Sequence, residues 1–158
     1  MTDTDLQSIE PRTAAPALGQ SRPWRTAGRT IAAAVEAVAP DFPRLDAATR
    51  RVVLTDVAAF TASQVDAMPE HLRYLYRLAL IAFEWLAVLR FGRPFTALDG
   101  DRRRTWVDFW TESPLAASRN FVKLIRSCTL LAFYDHPAVR DPLERQASRT
   151  TGSTVAIP

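Results

Sequence analysis

"LALIAFEWLAVLRF", residues Leu78–Phe91, is the stretch on which the fold turns. It is the longest apolar run in the chain, and it still contains Glu84 and Arg90. It is too short to span a bilayer, which takes about 20 mainly apolar residues. The residues just before it are amphipathic at helical spacing, with Leu72, Leu75, Tyr76 and Ala79 on one side. Met68-Pro69-Glu70 marks a helix start, with proline at the first helical position and an acid in the first turn. Gly92 supplies a stop and Pro94 bars continuation. A helix over about Pro69–Phe91 follows. Its second half has no polar face, so it must be surrounded, either by its own bundle or by a partner.

Four more helices flank this one. The first covers about Trp24–Ala39, with Ile31, Val35 and Val38 on one face, and Pro40 and Pro43 stop it. Asp46 suits the N-cap of a second helix, about Ala47–Ala67, striped by Val53, Val57 and Phe60. Asp99 caps a fourth, about Gly100–Thr111, carrying Trp106, Phe109 and Trp110. Ser113-Pro114 opens a fifth, about Pro114–Asp135, with Phe121, Leu124, Ile125, Cys128 and Leu131 along it. Strand signals are nearly absent, there are only 5 Gly, and the bias to Ala, Leu and Arg favours helix. The expectation is an all-α protein, a compact bundle of about five helices in one domain over residues 23–144, with the third and fifth at its core. Residues 1–22 lack periodicity and read as a disordered arm, and residues 145–158 read as a loose, flexible tail.

Equipment for catalysis is sparse. Asp135-His136-Pro137 looks like an acid–base pair, but a residue before proline is pushed out of the helical region. A histidine at a helix C-terminus also favours the dipole, so the corner reads as a helix terminator. His71, the other histidine, lies in a first helical turn. No metal-ligand spacing and no glycine-rich phosphate loop occur, which excludes the common metal and nucleotide motifs. Cys128 is the single cysteine and lies in an apolar stretch, so an inert buried thiol is expected. Glu84 has only apolar residues three and four positions away on either side. A buried carboxylate needs a cation or a proton, and Arg119, Lys123 or Arg126 of the fifth helix could supply the cation.

The formal net charge is +3, and every basic residue but Lys123 is arginine. That charge is spread out, where nucleic-acid binders concentrate it in a stripe. The densest run, Arg102–Arg104, lies beside Asp99, Asp101 and Asp108, so its field is expected to be neutralised locally. Nucleic acid is therefore not the expected partner, although Arg25, Arg29, Arg50, Arg51 and Arg102–Arg104 keep a helical regulator as the alternative. A small-ligand-binding bundle is a third reading. Acidic early residues and the lack of a basic, apolar leader lead us to expect a cytoplasmic protein. Aromatic residues crowd the second half of the chain around Arg90, Arg93 and Arg119, a composition favoured at protein interfaces.

Those pieces, in their order, carry a resemblance. The helix ending "LRFGRPFTALD", the segment with Trp106, Phe109-Trp110, Ser113-Pro114-Leu115 and Arg119, and the ending "LLAFYDHP" resemble the small subunit of glucose-methanol-choline-type (GMC) flavin dehydrogenases. This is the gluconate 2-dehydrogenase subunit 3 group. "EAVAPDFP", Glu36–Pro43, is similar to the loop after that group's first helix, and the likeness covers about Thr30–Val139. The resemblance implies a non-catalytic accessory subunit with no cofactor of its own. It would bind and stabilise, in a chaperone-like way, a large FAD-holding subunit that oxidises an alcohol. Exported members carry a twin-arginine signal that is not apparent here, so a cytoplasmic stabilising subunit is expected. The candidate docking residues are Arg90, Phe91, Arg93 and Phe95, then Trp106, Trp110 and Arg119, then Phe133, Tyr134, Asp135, His136 and Pro137.

Overall fold

A computed structural model describes the backbone of residues 22–152 and the side chains of residues 26–145. It contains six α-helices: α1 Arg22–Val38, α2 Ala47–Asp66, α3 Glu70–Phe91, α4 Gly100–Thr111, α5 Ala116–Asp135 and α6 Pro137–Gly152. A single 3-10 turn, Phe95–Ala97, joins α3 to α4, and no strand occurs among the described residues. The protein is an all-α bundle.

Local chemistry explains most boundaries. Asp46 caps α2 by accepting from the N–H groups of Ala48 and Thr49, both at 2.9 Å. Asp99 caps α4 by accepting from the Arg102 N–H at 2.9 Å. Gly92 ends α3 with φ 70°, a left-handed position that suits glycine, and its N–H donates to the Val88 carbonyl at 2.8 Å. The fifth helix begins two residues later than expected. Ser113 Oγ accepts from the Leu115 N–H, which makes Ser113-Pro114 a tight turn before the helix. The sixth helix was not foreseen. Pro137 opens it, and Pro142 inside it leaves the Ala138 carbonyl without its usual donor. Helical backbone thus continues to Gly152, into the stretch read as a tail from residue 145. The remainder of that tail and nearly all of the expected arm lie outside the described residues.

The packing corrects the expected centre. α1, not α3, touches α2, α3, α4, α5 and the 3-10 turn, while the contact between α3 and α5 is slight. The reason is side-chain size. Ile31, Ala33, Ala34, Val35 and Ala39 are buried, and the small ones let neighbouring helices close in on α1. The core then grows around Phe83, which is 1% exposed. Its ring centroid lies 4.5 Å from Phe95, 5.0 Å from Trp110 and 5.4 Å from Phe121, in edge or tilted geometries that aromatic quadrupoles favour. The Trp106 indole N–H donates to the Phe83 carbonyl at 3.0 Å, so this buried donor is satisfied.

Glu84 is buried, at 4% exposure, but not in the manner expected. No guanidinium or ammonium among the described residues pairs with it. Its Oε1 accepts from the Thr96 hydroxyl at 2.5 Å and from the Thr96 N–H at 3.3 Å. Its Oε2 lies 3.0 Å from the Thr30 hydroxyl of α1. Arg103 of α4 extends the network, donating to the Thr96 carbonyl at 2.9 Å and to Glu36 of α1 at 2.7 Å. Arg119, one of the cations expected to neutralise Glu84, instead donates to the carbonyls of Ser113 and Pro114 at 2.7 and 2.9 Å.

Two outcomes follow for stability. Glu84→Ala strands the Thr96 hydroxyl and N–H, while the Thr30 hydroxyl keeps the Thr26 carbonyl at 3.1 Å, and the change should cost about 1–3 kcal/mol in urea unfolding. Glu84→Gln, which keeps an acceptor oxygen, should cost less, and equal losses would remove the hydrogen-bonding account. The second outcome concerns Asp46, whose carboxyl is held below its usual range, first by the Thr49 N–H and then by the Thr49 hydroxyl. Its contribution is therefore complete above the ordinary carboxyl pKa and fades as pH falls through the lowered value. Melting curves of Asp46→Ala and the parent chain should converge towards acid pH, while Asp46→Asn should show a flatter pH dependence.

Candidate functional site

On α3 the apolar residues divide into two opposite faces. Leu80, Phe83 and Ala87, with the carboxylate of Glu84 beside them, are buried in the bundle. Leu75, Leu78, Ala82, Trp85 and Leu89, spaced alternately by three and four, fall on the other side of the helix. This spacing is that of a packing seam, yet none of the described residues covers it. Leu89 is 84% exposed and Trp85 59%, and Ile81, Leu78 and Leu75 are each more than half exposed. Single exposed apolar residues are ordinary, but a continuous helical face of them marks a contact surface.

The seam borders a groove of about 860 Å³ between α3 and the α4–α5 corner. Leu78, Leu86 and Leu89 form one wall, Phe109 and Leu115 the other, and the edges of Trp106 and Trp110 lie at the floor. Arg90 closes one end. Its guanidinium lies 5.4 Å from the Phe109 ring centroid and 5.8 Å from that of Phe91, within cation–π range. Phe109 in turn stacks on Trp106, with planes 14° apart and centroids at 5.3 Å. The wall is thus built from rings that brace one another.

The residues singled out from sequence separate into different places. Arg90 lines the groove, Phe91 is half-buried beside it, and Arg93 is exposed past the end of α3. Phe95, Trp106, Trp110 and Phe133 are core side chains, so they reach a partner at most through the surface they support. Arg119 braces the α4–α5 turn. Tyr134, Asp135 and Pro137 are exposed at the α5–α6 corner, away from the groove. The exposed seam itself, Leu75 to Leu89, is missing from that set. Its signal was the absence of any polar face on α3, which demands two apolar environments while one bundle supplies only one.

The Asp-His corner resolves into two separate contacts. His136 ends α5 with extended backbone and leads directly into α6. Its Nδ1 accepts from the Ala138 N–H at 3.2 Å, which makes it the cap of the following helix. In the neutral ring the proton then sits on Nε2, which lies 3.3 Å from Asp56 Oδ2 of α2. Asp135 turns elsewhere, to Arg140 at 3.7 Å. The histidine joins α2, α5 and α6 and does not pair with its sequence neighbour. Cys128 is buried, and burial pushes its thiol above the ordinary value, in keeping with an unreactive core residue. No group of three or more metal-ligating side chains converges among the described residues. No helix there is long and apolar enough to cross a membrane.

Comparison with protein-family models, curated proteins and solved structures finds no match in any of the three.

The corner can be tested directly. His136→Ala should loosen α6, seen as faster amide exchange and proteolysis C-terminal to residue 137, with α3 exchange unchanged. His136→Asn, which can cap a helix, should restore much of the protection. Uniform loss across all helices would mean the histidine holds the whole bundle.

Proposed function

We propose that this chain is a non-catalytic helical subunit that stabilises a larger protein by burying the α3 seam against it. One observation carries the proposal: the exposed seam runs the length of α3 and continues into the aromatic-floored groove. Aromatic residues and arginine anchor protein interfaces, and Trp85, Phe109 and Arg90 stand in that surface in accessible positions. The two groups best suited to acid–base work are engaged structurally, Glu84 by two threonines and His136 as a helix cap. That supports a docking role over a catalytic one.

The resemblance of "LRFGRPFTALD" and "LLAFYDHP" to GMC accessory subunits supports a particular partner, a large FAD-dependent alcohol dehydrogenase or oxidase. FAD would belong to that subunit. The proposal keeps both subunits in the cytoplasm and in a hetero-oligomer. A standard interface removes about 1,600 Å² from water in total, which a two-ended helix face with a flanking groove is long enough to supply.

Affinity capture of the tagged chain from its host should bring down a larger protein whose eluate absorbs as flavin. Leu89→Glu and Trp85→Ala should each lower capture at least about tenfold, the usual scale for a centrally placed anchor. Neither should lower the melting temperature, because both side chains are more than half exposed. A chain that elutes alone and colourless, or capture indifferent to both substitutions, would defeat the proposal. Light scattering on the isolated chain separates self-association through the same seam, since a dimer dissolved by Leu89→Glu would name a second copy as the occupant.

A further inference from the structure

A second concavity lies elsewhere in the fold, and its chemistry is different. Arg29 of α1, Arg50 and Arg51 of α2, and Arg103 of α4 line a groove of about 670 Å³. Ala32, Ala33, Leu54 and Ala97 give it an apolar lining, and Glu36 is the one carboxylate in its wall. Four arginines from three helices therefore line it, against Glu36 in the wall and Asp41 paired with Arg50.

These four fall into two kinds. Arg103 is held by Glu36 at 2.7 Å and by the Thr96 carbonyl at 2.9 Å. Arg50 is held by the Pro40 carbonyl at 2.9 Å and by Asp41 at 3.5 Å. Both are thereby fixed in position before any ligand arrives. Arg29 and Arg51 differ, because neither guanidinium has a hydrogen bond or ion pair with any described residue. No polar contact with a described residue offsets the repulsion of like charges brought to the same groove. An incoming anion would find two preset donors and two free ones.

We propose that this groove binds a small organic anion of the phosphate-ester class, about the size of a nucleoside monophosphate. A guanidinium presents paired N–H donors that match two phosphate oxygens, which favours this anion over a lone halide or hydroxyl. The groove volume falls within the roughly 300–1,000 Å³ range of small-molecule sites, so it holds a body as well as a charged group. The apolar lining suits a planar or aliphatic portion next to the phosphate. A polyanion fits less well. The charges lie in a concavity instead of along a stripe, and Glu36 in the wall with Asp41 at the rim would repel a continuous backbone. This inference does not rest on the docking role of α3, since the two surfaces share no side chain.

Calorimetric titration of the full chain tests it, with AMP, inorganic pyrophosphate, adenosine and a short random duplex as separate probes. AMP and pyrophosphate should bind and adenosine should bind at least about tenfold more weakly, the scale of one lost charge-assisted contact. Arg29→Ala and Arg51→Ala should each weaken AMP by about tenfold or more, with melting curves unchanged because neither guanidinium has a polar partner among the described residues. Leu89→Glu on α3 should leave AMP binding intact. The proposal fails if neither phosphate probe binds at millimolar concentration, if adenosine binds as tightly as AMP, or if AMP binding survives both arginine substitutions. Tight duplex binding that falls steeply with salt and needs the same arginines would also overturn it, in favour of a nucleic-acid site.

Discussion

The carboxylate of Glu84 is the point on which the rest of the bundle depends. It is buried in the bundle, where an unmet acceptor would cost several kcal/mol, about a quarter or more of a typical domain's stability. The cost is avoided by bringing Thr30 from α1 and Thr96 from the 3-10 turn onto its two oxygens. This contact sets the turn after α3, and the turn sets where α4 begins. Arg103 then ties α4 back to Thr96 and to Glu36 on α1. Four elements are thereby positioned by one chain of polar contacts, and the aromatic cluster around Phe83 fills the space beside it.

α4 is the element that divides the surface into two chemistries. Arg103, on one side, closes the basic groove with α1 and α2. Trp106, Phe109 and Trp110, on another, form the aromatic side of the groove against α3. A twelve-residue helix with this pattern has no single solvent face. The same arrangement explains why Arg102–Arg104 do not behave as one basic cluster. Arg102 pairs with the cap residue Asp99 at 3.5 Å, Arg104 with Asp101 and with the distant Asp41, both at 3.9 Å, and Arg103 points across to α1. Local neutralisation holds for Arg102 and only in part for Arg104. The middle one is governed by a residue 67 positions away.

Element positions were largely legible because their determinants are local. Asp46, Asp99 and Gly92 act within four residues of where they sit, and each does what its type and position imply. His136-Pro137 was legible as a helix end, but not as the start of another, because the cap comes from a ring nitrogen whose direction the tertiary fold decides. The candidate site was legible only in part. Arg90 lies where an interface residue should, whereas Phe95, Trp106, Trp110 and Phe133 are core residues of this chain. Composition signals that aromatic side chains are abundant. It does not say which of them the bundle keeps.

By itself the sequence determined an all-helical bundle, the approximate extents of its first five helices, a buried Glu84 and an α3 whose second half needs cover on every side. Each of these depends on side-chain type, spacing within one or two turns, or a proline or glycine at a fixed place. Only the tertiary structure decided that α1 holds the centre, that threonines and no cation satisfy Glu84, and that Arg29, Arg50, Arg51 and Arg103 share one groove. It also decided which face of α3 remains bare. These outcomes rest on which helices lie side by side, and helices of similar amphipathic pattern can pack in several orders. The choice among those orders is made by small residues that permit close approach and by buried polar groups that must find partners, both properties of pairs far apart in the chain.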